Sequence, residues 1–261
     1  IMAHQILWLD DPMCRDATIT GGKVASLGQL TADFNVPEGF AVSIHAFDQW
    51  SPEILGRSSK VAIPIDFLNQ ITDAYHALGT RTNQSEPIVA VRSSAAGEDS
   101  LTASFAGQFS TYLGVVGVNA VIRSIIGCWG SLLAGPIRNY QDQHNKGKYP
   151  MKMGTLVQVL IPADVSGVAF SAHPVTGDRT TAIVNSSLGL GESVLSGAIP
   201  TDTFNVDRQL GTIISCDVVN KKHKIVASGG QTVRREVSPS LAYQPSLTDL
   251  QVSELNLSLS R

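Results

Sequence analysis

The chain has 261 residues, 43% of them hydrophobic and 16% charged, with a formal net charge of -3 at pH 7. That length can bury a full core and fits two lobes better than one, and the composition is that of a globular protein with few disordered stretches. The slightly acidic balance gives no reason to expect nucleic acid or an anionic membrane as partner, and no run of about 18 apolar residues is present to span a bilayer. The opening Ile1-Met-Ala-His-Gln-Ile-Leu-Trp-Leu-Asp-Asp is acidic, with too short an apolar run for a signal peptide. Cys14, Cys128 and Cys216 are odd in number, far apart and without a CxxC spacing, so neither a disulfide framework nor a zinc knuckle is indicated. A cytoplasmic, reducing location is the expectation.

In chain order, a strand-like start ends at Gly21-Gly22, where a helix opens. Val24, Leu27, Leu30 and Phe34 recur at helical spacing, and Pro37 lies just beyond. A second helix is predicted over 66–79, with Phe67, Leu68, Ile71, Ala74, Tyr75 and Leu78 on one side. Residues 50–64 have no clear period. The apolar run Ile88–Val91 predicts a buried strand, followed by a loop of Ser, Ala and Gly and a second apolar segment. A third helix is predicted from Asn119 to about His144, broken or kinked at Gly135-Pro136. After Tyr149-Pro150 the pattern becomes extended, with candidate strands at 155–161, 165–171, 181–187, 203–207, 211–219 and 223–228 separated by Pro, Gly and Asp turns. A helix-rich first half and an antiparallel strand-rich second half predict an α+β protein, with a first lobe over 1–150 and a second over 151–261.

The segment Val89-Ala-Val-Arg-Ser-Ser-Ala-Ala-Gly-Glu-Asp-Ser-Leu-Thr-Ala-Ser-Phe-Ala-Gly-Gln-Phe-Ser-Thr-Tyr-Leu113 carries the chemistry. Small side chains let backbone approach a ligand, while hydroxyls and N–H groups can surround phosphate oxygens. Arg92 adds a positive fork suited to the same oxygens, unless it pairs with Glu98 or Asp99 instead. This is the layout of a nucleotide triphosphate site, but not the Walker sequence, because no Gly-Lys-Ser/Thr ends the loop. Lys23 stands at the first turn of a helix, where anions are favoured; the alternative is a solvated lysine beside a turn. Gln158, among apolar neighbours, needs partners, which an adenine edge or a neighbouring strand would provide. Glu192 reads equally as a ribose ligand or as an acid at a helix start. Asp202 by itself reads as a turn former, and His173 as a surface histidine.

The same stretch closely resembles the N-terminal ATP-binding domain of the phosphoenolpyruvate synthase and pyruvate phosphate dikinase family, which includes the rifampicin phosphotransferases. Three further blocks agree in order and rough spacing over most of residues 6–220. The first is Gly21-Gly-Lys-Val-Ala-Ser-Leu-Gly28 with Val36-Pro-Glu-Gly-Phe40. The second is Val157 to Ser171 with Pro174-Val-Thr-Gly177, similar to the family's second-lobe hairpin. The third is Gly189-Leu-Gly-Glu192 with Pro200-Thr-Asp-Thr-Phe204. The resemblance implies a two-lobed ATP-grasp-like fold with nucleotide between the lobes. It implies phosphate contacts for Lys23, Arg92, Gly107, Thr111 and Tyr112, although core packing explains Tyr112 equally well. It places adenine at Gln158 and the backbone of Val159 and Leu160, and adds Glu192 and Asp202 to the nucleotide set.

The family's mechanism uses ATP and magnesium and passes phosphate through a histidine on a swivelling carrier domain to an acceptor domain, with AMP released. The acceptor is pyruvate, an antibiotic hydroxyl or, in prodigiosin-type ligases, a condensation intermediate. The family's magnesium ligands, carrier histidine and acceptor site have no counterpart in these residues. The expectation is therefore part of an enzyme, with no catalytic or metal-ligating residue of its own and no turnover alone. The rival expectation is a nucleotide-responsive regulatory module.

Overall fold

Short polar residues set the first turns. Asp11 caps a 3-10 turn at Pro12–Arg15 by accepting from the Met13 N–H, and Asp16 caps α1 (Ala17–Thr20) by accepting from Thr18. Gly21, with φ of +84°, then turns the chain directly into α2 (Gly22–Leu30). The computed structural model describes residues 4–55, 63–95, 110–132, 152–195, 197 and 199–259. Among these the fold is α+β with antiparallel sheets, in two units, Ile1–Leu160 and Ile161–Arg261.

The first unit is built on a five-stranded sheet of β1 (Ile6–Trp8), β2 (Gly39–Val42), β3 (Val89–Ala95), β4 (Thr111–Val115) and β5 (Met153–Val159). Their order is β1-β2-β5-β3-β4, with every neighbouring pair antiparallel. One face carries Phe40, Val42, Val91, Met153 and Val157. It packs on α3 (Ile44–Ile54), α4 (Ile65–Arg81) and α5 (Val118–Ser131) through Trp50, Ile71, Leu78, Ile125 and Trp129. The other face carries Leu7, Ala41 and Leu156 and is covered by Cys14 and by Val24 of α2. Because both faces are covered, β5 is buried almost throughout rather than at alternate positions, with Thr155 and Gln158 buried among its apolar residues.

That position corrects the sequence-based division. Residues 155–161 were read as the opening strand of the second lobe, and the block from Val157 as part of its hairpin, but Met153–Val159 form the central strand of the first unit. Pairing with both β2 and β3 decides this, since it satisfies backbone on both edges and buries both faces. The helix α3 was also unforeseen. Ser43 caps it by accepting from Ala46, and Pro52 stands inside its last turns, where the aperiodic reading began. The predicted helix 119–144 is seen as α5 up to Ser131; its Gly135-Pro136 break lies outside the described residues.

The second unit contains a four-stranded antiparallel sheet, β6 (Val165–Phe170), β7 (Thr181–Leu188), β8 (Asp202–Asp207) and β9 (Ile213–Asp217), in that order. A hairpin follows, β10 (His223–Ser228) and β11 (Gln231–Glu236). Its two-residue turn, Gly229-Gly230, has φ of +59° and +80°, the positive angles that a tight hairpin requires at both positions. Short helices α6 (Glu192–Leu195) and α7 (Pro239–Ala242) precede α8 (Asp249–Ser258). A capping box between Thr248 and Gln251 starts α8, which packs Val252 onto Ala182, Val184, Phe204 and Val206. Among the described residues no helix is long and apolar enough to cross a membrane.

Candidate functional site

The register of the first sheet assembles the candidate residues. Side chains alternate along β3, so Ala90, Arg92 and Ser94 share a face, with Gln158, Leu156 and Gly154 directly opposite them on β5. Leu156 packs with Val24, so this is the face that α2 covers. On the other side of β3, Arg92 pairs with Thr111, which places both on the α2 face. Arg92 is half-buried and Thr111 exposed.

Helix α2 brings Lys23 to the same end of β3. Its ammonium donates to the Ser93 carbonyl at 3.0 Å, and the next amide, Val24 N–H, donates to the Ser94 hydroxyl at 3.1 Å. Behind them, Ser93 Oγ donates to the Ser110 carbonyl at 2.9 Å, joining the ends of β3 and β4. The Cys128 thiol also leans on that carbonyl, at 3.6 Å. Burial pushes the thiol up to about 12, with the nearby Lys23 charge pulling slightly the other way. Two cationic side chains, a helix N-terminus and a hydroxyl thus converge on one strand end, a set suited to anionic oxygens.

The remaining candidates separate. Tyr112 follows Thr111 on β4 and so points to the opposite face, where its hydroxyl lies against Gly127 of α5; a Cβ there would overlap it. It packs on a helix rather than beside Arg92. Gln158 is 8% exposed and donates its amide to the Pro37 carbonyl at 3.0 Å. The adenine-facing reading of the neighbouring backbone meets occupied donors: Val159 N–H goes to Glu38 O at 2.9 Å and Leu160 N–H to Ile88 O at 2.8 Å. Sheet pairing of β5 on both sides accounts for this, and it could not be inferred while residue 158 was placed in a second-lobe hairpin. Gly107 lies outside the described residues.

Glu192 and Asp202 belong to the second unit. Glu192 is exposed at the start of the four-residue α6. Asp202 is fully buried, and its Oδ1 accepts from Lys221 Nζ at 2.7 Å and Val219 N–H at 2.9 Å, while Oδ2 accepts from Ser246 N–H at 2.7 Å. A carboxylate so enclosed holds its own unit together and presents nothing to a ligand. His173, read as a surface histidine, caps its own turn: Nδ1 accepts from Val175 and Thr176 at 3.2 and 3.3 Å.

Sequence reasoning missed Gly154 as part of the site. The signal was a glycine inside a strand pattern, which marks close backbone approach; a Cβ at Gly154 would overlap the Thr20 carbonyl, and one at Gly21 the Ser94 carbonyl. The turn that opens α2 therefore lies flat on the cross-strand pair Ser94–Gly154.

Thiol reactivity offers a check on this packing. Cys14 is pushed up to about 12 by burial and by the Asp11 and Asp10 charges, and Cys128 equally by burial, whereas Cys216 is exposed. Iodoacetamide should label Cys216 well before the other two in the native chain, as read by peptide mass spectrometry. Equal rates would show that the first-unit core opens on the labelling timescale.

A family model described as pyruvate phosphate dikinase, AMP/ATP-binding domain, matches residues 48–261. A probable phosphoenolpyruvate synthase of Methanothermobacter thermautotrophicus is 32% identical over 269 residues, covering 92% of this chain and 39% of that protein. One from Archaeoglobus fulgidus is 33% identical over 279 residues, covering 96% and 37%. A rifampicin phosphotransferase of a Streptomyces species is 34% identical over 266 residues, covering 90% and 30%. The chain thus spans less than two fifths of the length of these relatives. Since residues 48–261 are well over half of it, the chain belongs to the AMP/ATP-binding domain family of pyruvate phosphate dikinase.

Proposed function

We propose that the first unit holds the phosphates of ATP at the end of β3, with Lys23 and Arg92 as the cationic ligands and Thr111 as a hydroxyl partner. The observation that carries this is the seating of the Lys23-bearing helix terminus on the strand that delivers Arg92. Two positive side chains and the α2 N-terminus oppose the triphosphate charge from one side. The half-buried setting of both side chains gives each contact more weight than it has in open water. Gln158 stands on the same sheet face and is the candidate for the base, through the side-chain atoms not engaged by Pro37.

The protein of which this domain is a part is, in this reading, a phosphotransferase. Phosphate leaves ATP with AMP as product, passes through a histidine on another domain, and reaches an acceptor such as pyruvate or an antibiotic hydroxyl. The names of the relatives and the small share of their length that this chain spans support that assignment. What this chain contributes is positional and electrostatic: it holds and orients the triphosphate.

The test is calorimetric. Lys23→Ala and Arg92→Ala should each weaken ATP binding by about 1.5–3 kcal/mol, roughly 10- to 150-fold, and leave adenosine binding nearly unchanged. Equal losses for ATP and adenosine would show that neither side chain reads phosphate.

A further inference from the structure

We propose that Ser94 is the positioning residue for Lys23, acting as a helix cap supplied from a strand 70 residues away. This rests on the reading of Lys23 as a phosphate ligand. The residue at the cap position of α2 is Gly21, which has no side chain to satisfy the first-turn amides. In its place the Ser94 hydroxyl accepts from Val24 N–H, the third helical amide, which a capping side chain ordinarily serves. Ser94 is fully buried, so this amide and hydroxyl have no water to fall back on.

Three further contacts keep the cap in place. The missing Cβ of Gly21 lets the Ser94 carbonyl lie against the helix start, and the missing Cβ of Gly154, paired with Ser94, admits the Thr20 carbonyl. The Ser93 carbonyl accepts the Lys23 ammonium itself. Arg92, two residues before Ser94, sits on the same strand face. One strand segment, 92–94, therefore carries one cation and sets the position of the other. If the cap is lost, α2 is released at its N-terminus and Lys23 moves, while Arg92 stays where β3 holds it.

The experiment is a double-mutant cycle on the 261-residue chain, with ATP and adenosine as probes in calorimetry. Ser94→Ala should weaken ATP about 2- to 30-fold, the range for a lost helix cap. Adenosine should change less than about twofold by the same arithmetic. Ser94→Cys, similar in shape but a weaker acceptor, should fall between Ala and Ser. In the Lys23→Ala background Ser94→Ala should have little further effect on ATP, because the group it positions is gone. Hydrogen exchange at Val24 should quicken in Ser94→Ala, with β3 unchanged. Equal losses for ATP and adenosine, or full additivity with Lys23→Ala, would overturn the positioning role. If Lys23→Ala weakens ATP and Ser94→Ala does not, this inference fails and the phosphate reading stands. If Lys23→Ala itself leaves ATP unchanged, the phosphate reading fails and takes this inference with it.

Discussion

Replacing Lys221 by methionine should cost the second unit about 3–5 kcal/mol of stability at pH 7, the range for stripping the partner from a buried charge. Lys221 and Asp202 are both fully buried at 2.7 Å, unlike the exposed pairs elsewhere on the chain, which contribute little. Without the ammonium, the Asp202 carboxylate retains the Val219 and Ser246 amides and the Ser246 side chain as partners but no counter-charge from Lys221. Burial by itself pushes this carboxyl up, but hydrogen bonds from Lys221, Val219 and Ser246 together hold it below the ordinary carboxylate range. Because the folded pKa is depressed, its stabilisation is complete above the unfolded value of about 3.9 and is lost as pH falls through the folded value. In Lys221→Met the counter-charge is gone and the carboxyl protonates more readily, so the gap to the wild type should narrow in acid. Urea unfolding of both proteins at pH 7 and pH 3 measures this. A gap under about 1 kcal/mol at pH 7, or one that widens in acid, would show that the node is no stronger than a surface pair.

Gly21→Ala should cost the first unit about 2–4 kcal/mol, combining backbone strain with a forced shift of packed groups. Gly21 has φ of +84° and ψ of +164°, a region essentially reserved for glycine. Its added Cβ would overlap the Ser94 carbonyl, which is backbone in a sheet and cannot swing aside. Either α2 lifts off β3 or the strand end gives. The melting temperature of the first unit should fall by roughly 5–15 °C. ATP affinity should fall with it even where the variant remains folded, since Lys23 is two residues along the same helix. An unchanged melting temperature would show that the turn adapts without strain, and would remove the reason for glycine at that position.

Much of the architecture was legible because it is periodic. Helices α4 and α5 and strands β7, β8 and β10 were read from the sequence, and in α4, α5 and β8 the burial follows the spacing. Arg92 stood out by local chemistry, as an arginine ending an apolar run, whereas Lys23 by position alone read as a solvated lysine and became a candidate through the family resemblance. The phosphate role of both is the proposal made above. Helix α3 was not legible, because Pro52, which has no N–H to give the carbonyl four residues back, reads as a breaker, yet the helix runs past it to Ile54.

Residue types and their spacing by themselves determined the class of fold and the main helices and strands, since each depends on near neighbours in the chain. Only tertiary structure decided which strands pair. That pairing placed 153–159 in the first sheet, engaged the Val159 and Leu160 amides, turned Tyr112 to the face opposite Arg92 and buried Asp202 against Lys221. It also decided that Ser94 caps a helix 70 residues upstream. The physical reason is that a sheet assigns each side chain its face and each amide its partner through register with a distant strand, and nothing in the local pattern carries that register.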